Sequence, residues 1–464
     1  MQKDTPAASH LLKRIQCQTS ENIPPRVTLS WQPLIDEPLR ARAIKAALCV
    51  AERLRTPEQV NEIVRVAYQQ SSIPIIWKGC TFPSGFAGTA LMYNFITQCF
   101  PEEKWDTATL CHLRSAVADT QQHPFKKPGL YGGTSGMGLT LQMLSRRDKR
   151  YQKSMNALHQ SLYEQVQKYA WPRSEKDVAV GDYDIVSGAS GILAYLLTVE
   201  QPNDQILNTI ELLLDYLIWL AEPDQEHWYI SPDHLTSDDK HLYLQGYFNC
   251  GLAHGIPGPL AVLALTWLRG YRYPGLQESI THLSTWMMKH QVIDEWGINW
   301  PNVVPLQQFQ SINDRQPLPG ARAAWCYGAP GVARSLWLAG QALEDASLCQ
   351  VAIDAIEAVL RRPIPVRRID SSTLCHGVAG LLQICLRFAH ESESSIIRQH
   401  IPLLVNQLLE AFNPDYALGF RDLERDHVYV DQPGWLYGAS GIAMVLLAAS
   451  TSVNPEWDRA LVIS

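Results

Sequence analysis

The chain has no apolar run of the kind that spans a bilayer. Its most apolar stretch, residues 251–268, carries His254 and two prolines. Such a stretch suits a core helix with a polar mouth, not a membrane span. The N-terminal MQKDTPAASHLLKRIQC lacks the apolar core of an export signal. The ten cysteines are therefore expected to stay reduced, leaving metal binding or catalysis for any special ones. Positive charge is not in excess either. Lys and Arg number 39 against 46 Asp and Glu, a formal net charge of −7, which removes the electrostatic case for nucleic-acid binding. The lone basic cluster, RRPIPVRR at residues 361–368, is short and broken by proline and reads as a solvated loop.

What the chain does have is glycine in register. A Gly-x-x-Gly step recurs seven times, with its first glycine at Gly85, Gly133, Gly188, Gly255, Gly328, Gly377 and Gly438. Most steps open an apolar stretch, such as ILAYLL after Gly191 or IAMVLLAA after Gly441. The intervals, 48 to 73 residues, hold two helices each, since an average helix takes about 12 residues and a connection about 5. One helix per copy is apolar nearly all round and so buried on all sides. The other is amphipathic, as in AIDAIEAVLRR at residues 352–362. A buried helix backed by an outer one, seven times over, predicts an all-α closed double ring. An open solenoid needs polar end caps, and the last copy is as apolar as the internal ones.

One large domain over residues 41–464 is expected, preceded by a polar, Pro-containing N-terminal extension, residues 1–40. Two intervals interrupt the helical rhythm, residues 222–247 and 295–320. They are predicted to be loops or short strands over one face, where long loops on a rigid scaffold handle ligands.

The chemistry concentrates on four of the steps. Cys326 and Cys375 each lie two residues before the first glycine of their step, and His376 follows Cys375 directly. On a ring, equivalent places in adjacent copies are neighbours at one rim. Two thiols and an imidazole form a soft set suited to zinc with an open fourth position. Asp184 precedes its glycine by four residues, and His254 stands immediately before Gly255. Arg322, Trp325 and Tyr327 surround Cys326. An Asp, a His and an Arg near an activated thiolate are what acid–base chemistry on a polarised carbonyl uses. The plainer readings stand beside this. Asp184 also fits a helix cap, His254 a backbone-bonded core histidine, and Arg322 a partner for a carboxylate. Tyr131 and Tyr437 read as packing residues. Cys250, one copy away from Cys326, is the obvious candidate for a fourth, purely structural metal ligand.

The strings YDIVSGASGILAYLL, NCGLAHGIPGPLAVLAL, RAAWCYGAPGVA, LCHGVAGLL and GWLYGASGIA resemble the motifs of the LanC family, the lanthipeptide (lantibiotic) cyclases. The likeness runs over roughly residues 80 to 450. It implies an α/α toroid of seven inner and seven outer helices, with a small β-containing extension for which residues 295–320 are the candidate. It implies Zn2+ held by Cys326, Cys375 and His376, with His254, Asp184, Arg322 and Tyr327 at the catalytic positions. The implied reaction adds a cysteine thiol of a precursor peptide to dehydroalanine or dehydrobutyrine, forming a lanthionine or methyllanthionine thioether. The implied partners are a dehydrated, leader-containing precursor peptide, a separate dehydratase and a peptide exporter. The implied location is cytoplasmic, with peripheral membrane association through a biosynthetic complex. Rivals remain at this point: the eukaryotic branch of the family, which adds glutathione to dehydroamino acids; a zinc prenyltransferase or a glycosidase on a similar toroid; and a peptide-binding scaffold with structural zinc. A glycosidase would present paired carboxylates, and the rims show no second one beside Asp184.

Overall fold

Each glycine step opens a buried helix. A computed structural model of the chain describes residues 16–17, 30–73, 75, 77–146, 151–174, 177–223, 225–310, 317–424 and 427–464. In chain order its main helices are α1 (Glu37–Arg53), α2 (Phe86–Cys99), α3 (Asp106–Gln122), α4 (Thr134–Ser145), α5 (Gln152–Lys168), α6 (Ala189–Leu196) and α7 (Asp204–Leu220). They continue with α8 (Pro257–Leu268), α9 (Leu276–Lys289), α10 (Ala329–Leu343), α11 (Ala346–Arg361), α12 (Val378–Glu391), α13 (Ser395–Glu410) and α14 (Ala439–Ser450). The even-numbered helices are the apolar ones. In α14 every residue is buried, and in α12 every residue from Val378 to His390. The odd-numbered helices bury one stripe. In α11 that stripe includes Leu348, Ala352, Ala355, Ile356 and Val359, spaced three or four apart.

The even helices form a closed ring. Helix α2 packs on α4, α4 on α6, α6 on α8, α8 on α10, α10 on α12, α12 on α14, and α14 back on α2. Each is backed by the odd helix that follows it in sequence, except the last. Behind α14 lies α1, from the other end of the chain. The fold is thus the predicted α/α toroid, with its seam closed by the N-terminal helix. Helix α1 starts at Glu37, capped by Asp36, so the expected boundary after residue 40 falls inside it. Trp31 ahead of it is buried and donates its indole N–H to the Ala448 carbonyl at 2.8 Å. Most of the predicted extension lies outside the described residues.

Strands are few among the described residues. Residues 247–249 pair with 303–305, 292–294 with 297–299, 271–272 with 16–17, and 422–423 with 429–430, all antiparallel. The β-containing extension expected at 295–320 is therefore two short pairings that tie this interval to the segments just before α8 and just after α9. The hairpin 292–299 also packs against α11.

The hole of the ring is filled by the chain's last turn. Trp457, Asp458 and residues 460–463 are buried in it. Their carbonyls are read from above: Trp325 Nε1 donates to Leu461 at 2.9 Å and Tyr131 Oη to Ala460 at 3.1 Å. Arg387 grips the Asp458 carboxylate through two bonds of 2.6 and 2.8 Å, and Gln383 adds a third. Over this plug Tyr131 stacks on Trp325, with Phe82 and Trp435 beside them. This aromatic layer is the floor beneath the rim where the inner helices begin.

Candidate active site

The loops ahead of the inner helices are joined to one another by backbone hydrogen bonds. Tyr131 N–H donates to Val186 C=O, Ile185 to Ala253, Ala253 to Cys326, Cys326 to Cys375, Cys375 to Leu436, and Leu436 to Pro83, at 3.0 to 3.3 Å. The belt makes equivalent positions of successive copies neighbours. It needs each inner helix to start hard against its own loop. A Cβ on Gly380 would stand 2.0 Å from the Leu374 carbonyl oxygen. Gly328 has φ +96° and a Cβ there would meet the Arg322 oxygen at 1.8 Å, so only glycine fits.

One link of this belt brings Cys326 and Cys375 together, both buried free thiols. Their sulfurs share a hydrogen bond, which lowers Cys326 to about 7. Burial opposes the shift, and the charges of His376, Arg322 and His254 reinforce it. Cys375 moves the other way, well up, because it is the donor to Cys326 and is buried. The pair thus favours ionisation of Cys326 over Cys375. His376, next to Cys375, sets Nε2 3.6 Å from Asp422 Oδ1. Burial lowers its pKa, but the Asp422 bond and charge raise it overall.

The next link places His254 beside Cys326, because Ala253 N–H donates to the Cys326 carbonyl at 3.3 Å. Asp184 is buried and uses both oxygens. Oδ1 accepts from the N–H groups of Ser187 and Gly188 at 2.7 and 2.9 Å, and Oδ2 binds His254 Nδ1 at 2.7 Å. Asp184 is not the cap of α6, whose N-cap is Gly188 without a side-chain bond; it holds the turn ahead of α6 and orients a histidine. His254 is no backbone-bonded core residue. Its side chain is 41% exposed, and with Nδ1–H given to Asp184 its Nε2 is presented to the rim. Burial lowers its pKa, but the Asp184 bond and charge and the Cys326 charge raise it overall.

Arg322 is exposed, and its charge acts on both Cys326 and His376. Tyr327 accepts from Asn249 Nδ2 at 3.0 Å, and burial pushes its phenol up to about 12. Tyr131 is buried and packs, as expected. Tyr437 does not merely pack: its side chain is 38% exposed, its hydroxyl bonds Cys375, and its ring lies 6.1 Å from that of His376. Asp422 and Asn249 were missed by sequence reasoning. Asp422 sits on a two-residue strand outside every glycine step, and only folding brings it to His376. Cys250 directs its thiol to the Phe248 carbonyl at 3.8 Å.

Among the described residues, no group of three or more His, Cys, Asp or Glu side chains is arranged to hold a metal ion. The donor chemistry nevertheless suits zinc: two adjacent thiols, one of them held below the usual thiol range, with an imidazole on the adjoining residue. The third donor is turned toward Asp422. A carboxylate on the far nitrogen of a ligating histidine is the usual support for such a donor.

Residues 76–462 match the family described as Lanthionine synthetase C-like protein. The chain belongs to that family. Within it, the chain is similar to the nisin biosynthesis protein NisC of Lactococcus lactis subsp. lactis, 24% identical over 390 residues that cover 82% of this chain and 88% of that protein. A solved structure of a nisin cyclase superposes with a TM-score of 0.73 at 21% identity, over 88% of this chain and 97% of that one. Among the described residues of this LanC-like chain, no helix is long and apolar enough to cross a membrane.

Proposed function

We propose that this LanC-like protein is a zinc-dependent lanthipeptide cyclase. It adds the cysteine thiols of a dehydrated precursor peptide to dehydroalanine or dehydrobutyrine, making lanthionine or methyllanthionine rings. The observation that carries the reading is the convergence of the Cys326–Cys375 pair with the His254–Asp184 dyad on adjacent links of one belt.

In the addition, a C–S bond forms at the β-carbon of the alkene and the thiol proton ends on the α-carbon. His254 is built to move that proton. Asp184 fixes Nδ1, so Nε2 accepts the proton from the incoming thiol as imidazole and returns one to the enolate as imidazolium. The Asp184 bond and charge favour the imidazolium form against burial. Arg322 brings positive charge to the developing enolate oxygen. Tyr327, anchored by Asn249, bounds the site on the side of Cys326. Cys326, Cys375 and His376 would hold the zinc, whose chemistry when bound is to keep a thiol ligand deprotonated near neutral pH. The dehydrated peptide requires a dehydratase to supply it and an exporter to remove the product, and the reading places the protein in the cytoplasm with them.

The test is incubation with a dehydrated, cysteine-containing peptide, followed by alkylation of the remaining thiols and mass spectrometry. Loss of alkylatable thiols at unchanged mass supports ring formation. Retention of every thiol with a correctly folded, zinc-loaded protein rejects it.

A further inference from the structure

The basic cluster 361–368 is not the solvated loop that its sequence suggests. Arg362 and Arg367 are buried, and they line a cavity of about 350 Å³ between the 292–299 hairpin, residues 319–323 and the turn 364–367. Its charge does not balance. Arg362 binds Asp294 through Nε and Nη2, both at 3.0 Å, yet its Nη1 is buried with no partner. Arg367 donates to two backbone carbonyls, of Arg362 at 2.9 Å and Leu360 at 2.8 Å, and has no carboxylate partner among the described residues. Exposed Arg368 also lines the cavity and donates to the Gly320 carbonyl. Three arginines and one carboxylate thus line the cavity, and two of the three arginines are buried. A buried cation without a counter-charge is costly, and an anion from outside removes that cost.

The surroundings limit what that anion is. Val366 lines the cavity and is 38% exposed, and Ile364 and Ile293, sequence neighbours of the lining residues Pro365 and Asp294, are 54% and 73% exposed. Asp294 within the cavity disfavours a doubly charged group such as phosphate. A single carboxylate set between aliphatic side chains matches both features. The wall is also the back of the rim. Ala321 and Ala323 line the cavity, Arg322 lies between them, and Ala323 N–H donates to the Arg367 carbonyl at 2.9 Å. We infer that this cavity is a carboxylate-recognition site for an acidic, aliphatic segment of a peptide, seated directly behind the loop that carries Arg322 and Cys326. The choice of a peptide as occupant rests on the proposed function; the binding itself does not require ring formation.

The experiment uses full-length protein and a fluorescein-labelled peptide amide of alternating aspartate and leucine, with the asparagine version as control, read by anisotropy. The aspartate peptide is expected to bind at least tenfold more tightly than the control. Arg368→Glu and Val366→Asp should each weaken it at least tenfold without altering thermal unfolding, because both side chains are at the surface. Binding should persist in Cys375→Ala, which separates the cavity from the rim and keeps the outcome independent of cyclase activity. Acetate should compete better than inorganic phosphate at equal concentration. Equal affinity for the two peptides, indifference to both cavity variants, loss of binding in Cys375→Ala, or stronger competition by phosphate would each overturn the assignment.

Discussion

Cys326 and Cys375, 49 residues apart in sequence, are bound to each other twice: Cys326 N–H donates to the Cys375 carbonyl at 3.3 Å, and their thiols share a hydrogen bond. The backbone bond fixes the distance between the loops, and the side-chain bond moves the two thiols in opposite directions, Cys326 down and Cys375 up. The pair therefore cannot be altered at one member without changing the chemistry of the other.

In the metal-free protein, Cys375→Ala should raise the pKa of Cys326 above its value of about 7, since the largest lowering influence is the bond from Cys375. The pH dependence of Cys326 alkylation measures this, with the midpoint moving to higher pH. The same variant should lose its metal. The unaltered chain is expected to hold about one zinc per molecule, and zinc released by acid and counted colorimetrically decides the matter.

Asp184→Asn should lower the pKa of His254, because the Asp184 bond and charge are what raise it against burial. Nuclear magnetic resonance of the His254 ring against pH reads the shift. Cyclisation should fall by roughly 10²–10⁴, the usual worth of a positioned acid–base group. Asp184→Ala should also unfold more easily by about 1 kcal/mol, through loss of the hydrogen bonds to the Ser187 and Gly188 N–H groups in the turn ahead of α6.

Gly380→Ala drives a Cβ to 2.0 Å from the Leu374 carbonyl, one residue from Cys375. Something in the belt must move. A destabilisation of roughly 1–3 kcal/mol or more is expected, with loss of activity. Gly132→Ala, whose Cβ meets nothing within 4 Å, should be close to neutral. Thermal unfolding of the two variants side by side separates a glycine required by packing from one that is not.

His112 is buried between α3 and α2, where its Nδ1 meets Thr89 Oγ1 at 2.7 Å, and burial lowers its pKa from 6.5 to about 4. The folded chain resists a proton that the unfolded chain accepts. Stability from this group is complete above pH 6.5 and is lost as pH falls toward 4. The loss reaches roughly 3 kcal/mol, from 1.36 kcal/mol for each pH unit between the two values. Urea unfolding at pH 7 and pH 4.5 should show the fall, and a His112→Gln variant should show less of it.

Removing Arg387 leaves the Asp458 carboxylate buried without its cation. Arg387→Met should cost about 3–5 kcal/mol, while Arg387→Met with Asp458→Leu should recover most of that. If the single variant is as stable as the parent, the plug in the ring is not held by this pair.

Much of the toroid was legible because its cause is local and repeated. A glycine step followed by an all-apolar helix is written seven times, and after six of them an amphipathic helix follows. The adjacency of Cys326 and Cys375 was legible for the same reason: they hold the same place in their copies, and the ring makes equal places adjacent. What failed was whatever depends on contacts across the ring. Arg362 and Arg367 sit in a stretch that is polar by composition, yet they are buried because the 292–299 hairpin and residues 319–323 cover them. Tyr131 and Tyr437 both stand just ahead of a glycine step, two residues and one residue before it, and only the fold sends one to the C-terminal plug and the other to Cys375. Asp422 belongs to no repeat.

The sequence by itself determined the number of spokes, which helices lie inside, and which residues stand at the rim, because periodicity and glycine placement act within a few residues. Only the tertiary structure decided that α1 closes the seam, that the last turn fills the hole, and that Asp184 turns His254 toward the thiols. Those outcomes depend on segments up to several hundred residues apart competing for the same buried space and the same unpaired polar groups, and no local pattern encodes the winner.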